Sequence, residues 1–232
     1  MSTALITGAS RGIGLEFCRQ YAADGWRVLA CSRHPENSDA LNKLAALYPG
    51  LIEMHALDVA DHAQIERLGQ VLDHESIDLL INNAGIYPDS DNRGFGHTDY
   101  AEWTRAFRTN TMAPLKMAET FAAQIARSKQ KTIVTITSKM GSIADNRGGG
   151  DYLYRSSKAA VNMVMKSLSI DLNTAGITAV VFHPGWVKTD MGGPNASMSA
   201  EQSVSGMREV ISRLTIADSG KFFGYDNQVI PW

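Results

Sequence analysis

Two cysteines in 232 residues, Cys18 and Cys31, are too few for a disulfide framework or a thiolate metal cage. Both lie in apolar-periodic stretches and are expected to be buried thiols. The six histidines are scattered, without metal-ligand spacing. No apolar run approaches the roughly 20 residues that a membrane-spanning helix needs, and residues 1–6 lack the charged start and cleavage site of a secretion signal. Net charge is only −2, which leaves no basic footprint for nucleic acid. Internal repeats, low-complexity tracts and linkers are missing too. What survives these exclusions is a single domain, expected in the reducing cytoplasm, with neither a membrane nor nucleic acid as partner.

What is present is a sizeable apolar fraction, 44%, arranged in alternating short and long blocks. Strand-like runs at 4–7, 26–31, 51–57, 77–81, 132–137 and 177–182 alternate with helix-like runs at 15–22, 36–47, 63–72, 100–126, from 152, and 201–214. Two further short strands are expected at 221–223 and 228–230. Such alternation predicts an α/β fold, a doubly wound parallel sheet with helices on both faces. Residues 86–98 read as a loop long enough to be functional. Pro114 falls inside the 100–126 helix, where it removes the hydrogen bond to the carbonyl of Asn110 and should kink the chain.

The first strand runs straight into Gly8-Ala-Ser10-Arg11-Gly12-Ile13-Gly14 and then a helix. Strand, glycine turn and helix together suit a phosphate: the glycines permit a tight turn and close approach, and the helix N-terminus offers free N–H groups. An acidic residue at the end of the second strand would select a ribose 2′-hydroxyl, and none is there. Ser32 and Arg33 stand in its place, and Arg11 lies in the glycine turn, so two guanidinium groups are available for a 2′-phosphate. The reading is NADP(H) over NAD. Asp58 and Val59 close the third strand, where the carboxylate suits either an adenine amino group or a turn. Asn82-Asn83-Ala84-Gly85 ends the fourth, with small residues that admit a ligand and amides that can tie neighbouring strands together.

The stretch around which the chain is organised is 138–158. Ser138 ends a β-rich run; Gly148-Gly149-Gly150 makes a hinge; Tyr154 and Lys158, four apart, share a helix face. A phenol loses its proton near pH 10, and a neighbouring ammonium lowers that value, so the pair can work as an acid near neutral pH. Ser138 could hold a substrate oxygen. The helix beyond Tyr154 is apolar on most sides, which points to burial or an interface. His183, beside Pro184, reads as packing. Met140, Ile143, Tyr87, Trp186 and Met191 are candidate walls for an apolar or aromatic substrate.

These motifs, in this order, resemble the short-chain dehydrogenase/reductase family: the glycine turn, Asp58-Val59, Asn82 to Gly85, Asn110, Ser138, Tyr154 with Lys158, and Pro184-Gly185-x-Val187-x-Thr189. The resemblance covers residues 2 to about 230. Within the family, 151–158 and 183–193 are most similar to the branch of C-factor and the sniffer-type carbonyl reductases. It implies a Rossmann-like sheet of about seven strands and hydride transfer from NADPH to an aldehyde or ketone. By position, Tyr154 is the general acid, Ser138 holds the carbonyl oxygen, and Lys158 lowers the tyrosine pKa and binds the nicotinamide ribose. Asn110 would hold a relay water. Asn83, Ala84 and Gly85 would line the adenosine side; Pro184, Gly185, Val187 and Thr189 the nicotinamide. The resemblance further implies a homodimer or tetramer and a short C-terminal substrate lid at about 188–214. The alternative is a signalling or regulatory NADP(H)-binding protein of the same fold.

Overall fold

The computed structural model describes residues 1–89 and 94–232, so part of the expected 86–98 loop lies outside the described residues. Seven strands form one parallel sheet: β1 (Thr3–Thr7), β2 (Arg27–Ser32), β3 (Ile52–Ala56), β4 (Leu79–Asn82), β5 (Thr132–Ile136), β6 (Thr178–His183) and β7 (Phe222–Gly224), in the order β3-β2-β1-β4-β5-β6-β7. The order reverses between β1 and β4, and there the two strands diverge to different crossovers and leave a crevice at their C-terminal ends.

Among the described residues, seven α-helices accompany the sheet. α1 (Gly12–Ala23), α2 (Asp39–Leu47) and α7 (Ala200–Ile211) supply one core layer, which includes Phe17, Leu41 and Met207 against Ile6 and Phe182. α3 (His62–Val71), α5 (Ala113–Ala126) and α6 (Tyr152–Asp171) supply the other, with Ile65, Phe121 and Val161 against Leu5 and Ile133. The strands are nearly continuous apolar runs because both faces are covered. α4 (Tyr100–Phe107) leads towards α5. α7 docks on α1: Arg208 lies 4.4 Å from the Tyr21 ring centroid and pairs with Asp24 at 2.5 Å. Both cysteines are buried and free.

Two expectations need correcting. Residues 228–230 make no strand: Val229 forms a single antiparallel bridge to Phe223 after the turn at Asn227, whose φ is +67°. Residues 100–126 are helical throughout, as expected, but the irregularity is not a kink at Pro114: it lies just ahead, in a widened helical turn over Arg108–Met112 in which the Ala113 N–H reaches back to the Arg108 carbonyl, five residues away. Pro114 has no N–H and accounts for the loss of the ordinary helical bond in this region.

Candidate active site

The C-terminal edge of the sheet gathers the predicted residues. After β1 the chain turns at Gly8, φ +68°, and a Cβ built on Gly14 would lie 2.2 Å from the Gly8 carbonyl and 2.5 Å from Asn83 Nδ2. Only glycine fits there, which is the physical content of the sequence motif. Arg11, the residue before α1, has an extended backbone and gives no side-chain cap, and the first turn of α1 holds no acid. Among the described residues, the N–H groups at this helix end therefore have no capping side chain as acceptor. Asn83 ties the crevice walls together: its Nδ2 donates to the carbonyls of Thr7 at 2.9 Å and Gly8 at 3.2 Å, and the Asn83 and Ala84 N–H groups both donate to Thr7 Oγ1.

At the end of β2, Ser32 is buried and its Oγ has no hydrogen-bond partner, while Arg33 is exposed. The two arginines expected to converge differ in their engagement: Arg11 Nη1 is bonded to Asp190 Oδ2 at 2.7 Å, beyond β6. Asp58 Oδ1 accepts from the Ala60 N–H at 2.9 Å, a turn contact, and Val59 is buried beside it.

The second cluster sits at β5 and α6. Ser138 follows β5; its Oγ accepts from the Met140 N–H at 3.1 Å and lies near enough to the Tyr154 phenol to pull its pKa down. Lys158 Nζ donates to the Ile136 carbonyl at 2.9 Å and lies 5.7 Å from the Tyr154 ring centroid. A Cβ on Gly141 would lie 2.8 Å from the Lys158 backbone, so this glycine lets the β5 loop press against α6. The electrostatics run opposite to the sequence expectation. Burial pushes the Tyr154 phenol up to about 12, and only the Ser138 hydrogen bond pulls it back. Burial also pushes Lys158 down to about 8. In the protein alone desolvation outweighs any help from the lysine, because neither group sees water.

Asn110 joins this cluster through its side chain. Its amide accepts from the Ile86 N–H and donates to the Ile86 carbonyl, both at 2.9 Å, and Nδ2 also meets Ser157 Oγ at 3.0 Å. Thr111 Oγ1 donates to the Ser157 carbonyl at 2.8 Å, and Ser157 Oγ donates to that of Tyr154 at 2.8 Å. The wide turn is thus bolted to α6 beside the tyrosine and lysine. A Cβ on Gly85 would come within 3.3 Å of Asn110 Oδ1 and 3.5 Å of Lys158 Nζ, so these three positions meet.

Past β6, Gly185 has φ +83°, and a Cβ on it would lie 2.6 Å from Met198 Sδ. Pro184 accepts from the buried Ser203 Oγ, and Trp186 donates from Nε1 to the Gly192 carbonyl at 2.8 Å. Val187 is buried, and Thr189 packs over the glycine turn, 3.1 Å from where a Gly12 Cβ would be. Ser10 lies in the same turn and accepts from Ser38 Oγ through its carbonyl; Ile13 is half-buried. Burial pushes His183 down to about 4, which keeps it neutral. Trp186, Ile143, Met191 and Tyr87 are exposed, and Met140 is half-buried.

Sequence reasoning missed Ser157, Gly141 and Asp89. Asp89 Oδ2 accepts from the Tyr154 N–H at 2.7 Å and Oδ1 from the Leu153 N–H at 3.3 Å. No local signal could have marked it, since its partners are more than 60 residues away. Tyr87, named as a pocket wall, also donates its hydroxyl to Asp151 and lies 4.8 Å from the Tyr154 ring, centroid to centroid.

Comparison with known proteins places these observations. The family pattern described as short chain dehydrogenase matches residues 2–200. The C-signal protein of Myxococcus xanthus is 43% identical over 160 residues, 67% of this chain and 93% of its own. The NADPH-bound carbonyl reductase from chicken fatty liver is 34% identical, with TM-score 0.90 over 100% of this chain and 99% of that one. The carbonyl reductase Sniffer of D. melanogaster is 31% identical, with TM-score 0.91 over 100% of both chains.

Proposed function

The chain belongs to the short-chain dehydrogenase family, and from that premise we propose that it is an NADP(H)-dependent reductase of aldehyde or ketone carbonyls. The observation that carries the reading is the convergence of Ser138, Tyr154 and Lys158 at the C-terminal edge of the sheet, beside a crevice whose glycines leave room for a dinucleotide. The residues present fit NADP(H). Gly8, Gly12 and Gly14 would clear the approach to the pyrophosphate; the α1 N-terminus would offer its N–H groups; Ser32 and Arg33 would meet the 2′-phosphate, with Arg11 joining them once it leaves Asp190; Asp58, Val59, Asn83, Ala84 and Gly85 would line the adenosine; and Pro184, Gly185, Val187 and Thr189 would line the nicotinamide. The buried Ser32 Oγ, without a partner, is a group such a ligand would satisfy.

When bound, NADPH supplies the hydride. The protein's part is the rest. Ser138 holds the carbonyl oxygen, and Tyr154 gives it a proton. A phenol that burial holds at about 12 is protonated at neutral pH but is a weaker acid than an ordinary phenol, so proton transfer relies on Ser138 and Lys158 to offset the negative charge as it forms. Lys158 is held by the Ile136 carbonyl and is positioned to bind the ribose and restore charge balance as the phenol loses its proton. Asn110 fixes Ile86 with its side chain, which leaves its main-chain carbonyl as the group for a relay water. The expected substrate lid at about 188–214 shortens to the residues ahead of α7, since α7 itself packs into the core against α1. Exposed Trp186, Ile143 and Met191 favour an apolar or aromatic carbonyl. The reading includes a cytoplasmic homo-oligomer.

The test is NADPH oxidation, with NADH compared, against aldehydes, ketones, quinones and diketones. Tyr154→Phe is expected to lose at least about a hundredfold in kcat, the low end for general acid catalysis, and to keep NADPH binding. Near-normal turnover in that variant would sink the mechanism. The 43% identity to C-signal favours a second reading, an NADP(H)-binding signalling protein of the same fold. That reading expects cofactor binding with no turnover on any carbonyl of the panel.

A further inference from the structure

The helix that carries Tyr154 lacks a cap of its own. The residue before it, Asp151, is left-handed at φ +46° and ψ +42°, and its side chain makes no capping bond. Its carboxylate instead accepts from the Tyr87 hydroxyl. The second and third N–H groups of α6, those of Leu153 and Tyr154, are taken by Asp89, which is buried and comes from the loop after β4. A cap normally comes from the residue next to the helix. Here it comes from across the site, from a segment whose start is held by Asn110 through both the N–H and the carbonyl of Ile86.

We propose that Asp89 is the positioning residue for Tyr154: its carboxylate seats the first turn of α6 and so fixes where the phenol stands relative to Ser138, with Tyr87 as a second strut. The proposal rests on the reductase reading. Asp89 acts through the backbone, and the contacts it makes are to the main-chain N–H groups of Leu153 and Tyr154, not to the reacting atoms. Its charge has a second effect. The N-terminus of a helix is its positive end and favours an anion, a phenolate included. A carboxylate seated on those N–H groups compensates that field and keeps the phenol protonated. Among the described residues, the other polar and charged groups around Tyr154 include Ser138 from the β5 loop, Arg155, Ser157 and Lys158 on the same helix, Tyr87 from the β4 loop and Asp151 at the helix start. Removal of the Asp89 charge leaves all of these in place.

Asp89→Asn keeps the shape and one accepting oxygen. Its kcat, counted per NADPH-binding site, is expected to fall about tenfold, as for a reacting group slightly misplaced, with the NADPH Kd within about twofold of the unmodified protein. The alkaline limb of the kcat profile should move to lower pH by about half a unit to one unit, the size of a charge effect at a helix end. Asp89→Glu retains the charge and should lower kcat with the limb unmoved. Unchanged kcat and an unchanged limb in Asp89→Asn overturn the proposal. If Asp89→Asn does not fold, Asp89→Glu decides alone, and a kcat equal to that of the unmodified protein overturns it. Amide hydrogen exchange at Leu153 and Tyr154, in the presence of NADPH, needs no turnover. It should speed up at least tenfold in Asp89→Asn, and unchanged protection overturns the cap even if the unmodified protein reduces no carbonyl, the result that would instead refute the reductase reading.

Discussion

Lys158 shows what the site asks of single residues. An ammonium is least stable where water is excluded, and burial has brought this one from 10.5 down to about 8. Between those two values the unfolded chain binds a proton that the folded chain does not, so stability rises with pH across that window. Below about pH 8 both states are protonated and the cost of burying the charge is present in full. Lys158→Met, which keeps the length and removes the charge, is therefore expected to raise the melting temperature by a few degrees at pH 7, even with the Ile136 carbonyl left without its donor. The gain should shrink towards zero near pH 10. Calorimetry at both pH values checks this, and a gain that grew with pH would contradict it. The spacing of Tyr154 and Lys158 was legible in the sequence because it is local. The direction of the tyrosine shift was not, since burial is decided by strands and loops that close over the helix from far along the chain.

At the scale of elements, the wide turn over Arg108–Met112 is the piece on which α6 depends, because Asn110 and Thr111 both reach Ser157 from it. Pro114 can donate to no carbonyl of that turn. Pro114→Ala restores an N–H at this point and allows the ordinary four-residue bond to Asn110 to return. That would draw the wide turn into regular helix and rotate Asn110 and Thr111 away from Ser157. The expected result is a kcat lower by about tenfold or more, from a displaced reacting group, with NADPH affinity nearly unchanged. Steady-state kinetics and a cofactor titration separate the two, and an equal loss in both would refute the idea. A proline in a helical run told that regular helical bonding would be lost nearby, and the loss lies one turn ahead of it. It did not tell how, since kink and widened turn both follow from a missing N–H, and the choice between them was made by side chains that bond Ser157 on another helix. The seven strands and the glycine turns were legible to within one or two residues, because their periodicity and backbone needs are local, whereas 228–230 was misread as a further strand. The Asp89 cap was invisible for the opposite reason.

At the scale of the whole molecule, α4, the wide turn and α6 leave apolar side chains outside: Tyr100 is 72% exposed, and Met163 and Ile170 are each 66% exposed. The sequence pattern had marked α6 as apolar on most sides, and the structure buries one face while leaving these residues on another. Exposed apolar side chains grouped on neighbouring helices favour association between copies of the chain. Sedimentation at micromolar concentration should give a mass at least twice the 25.2 kDa of one chain, and a single-chain mass would contradict it. The crevice between β1 and β4 has a further consequence, in time rather than in space. Thr3 donates to Asp78, 75 residues along the chain, and Thr7 Oγ1 accepts from Asn83, 76 residues along, whereas β3, β2 and β1 are all contained in the first 56 residues. Closing so long a loop is entropically slow, so the β3-β2-β1 half is expected to form early and the β1–β4 seam late. The place where the two halves are sewn together is also the place offered to the dinucleotide. A ligand that grips both sides of the seam would hold the last-made contact shut, and the first step of unfolding would then have to wait for its departure.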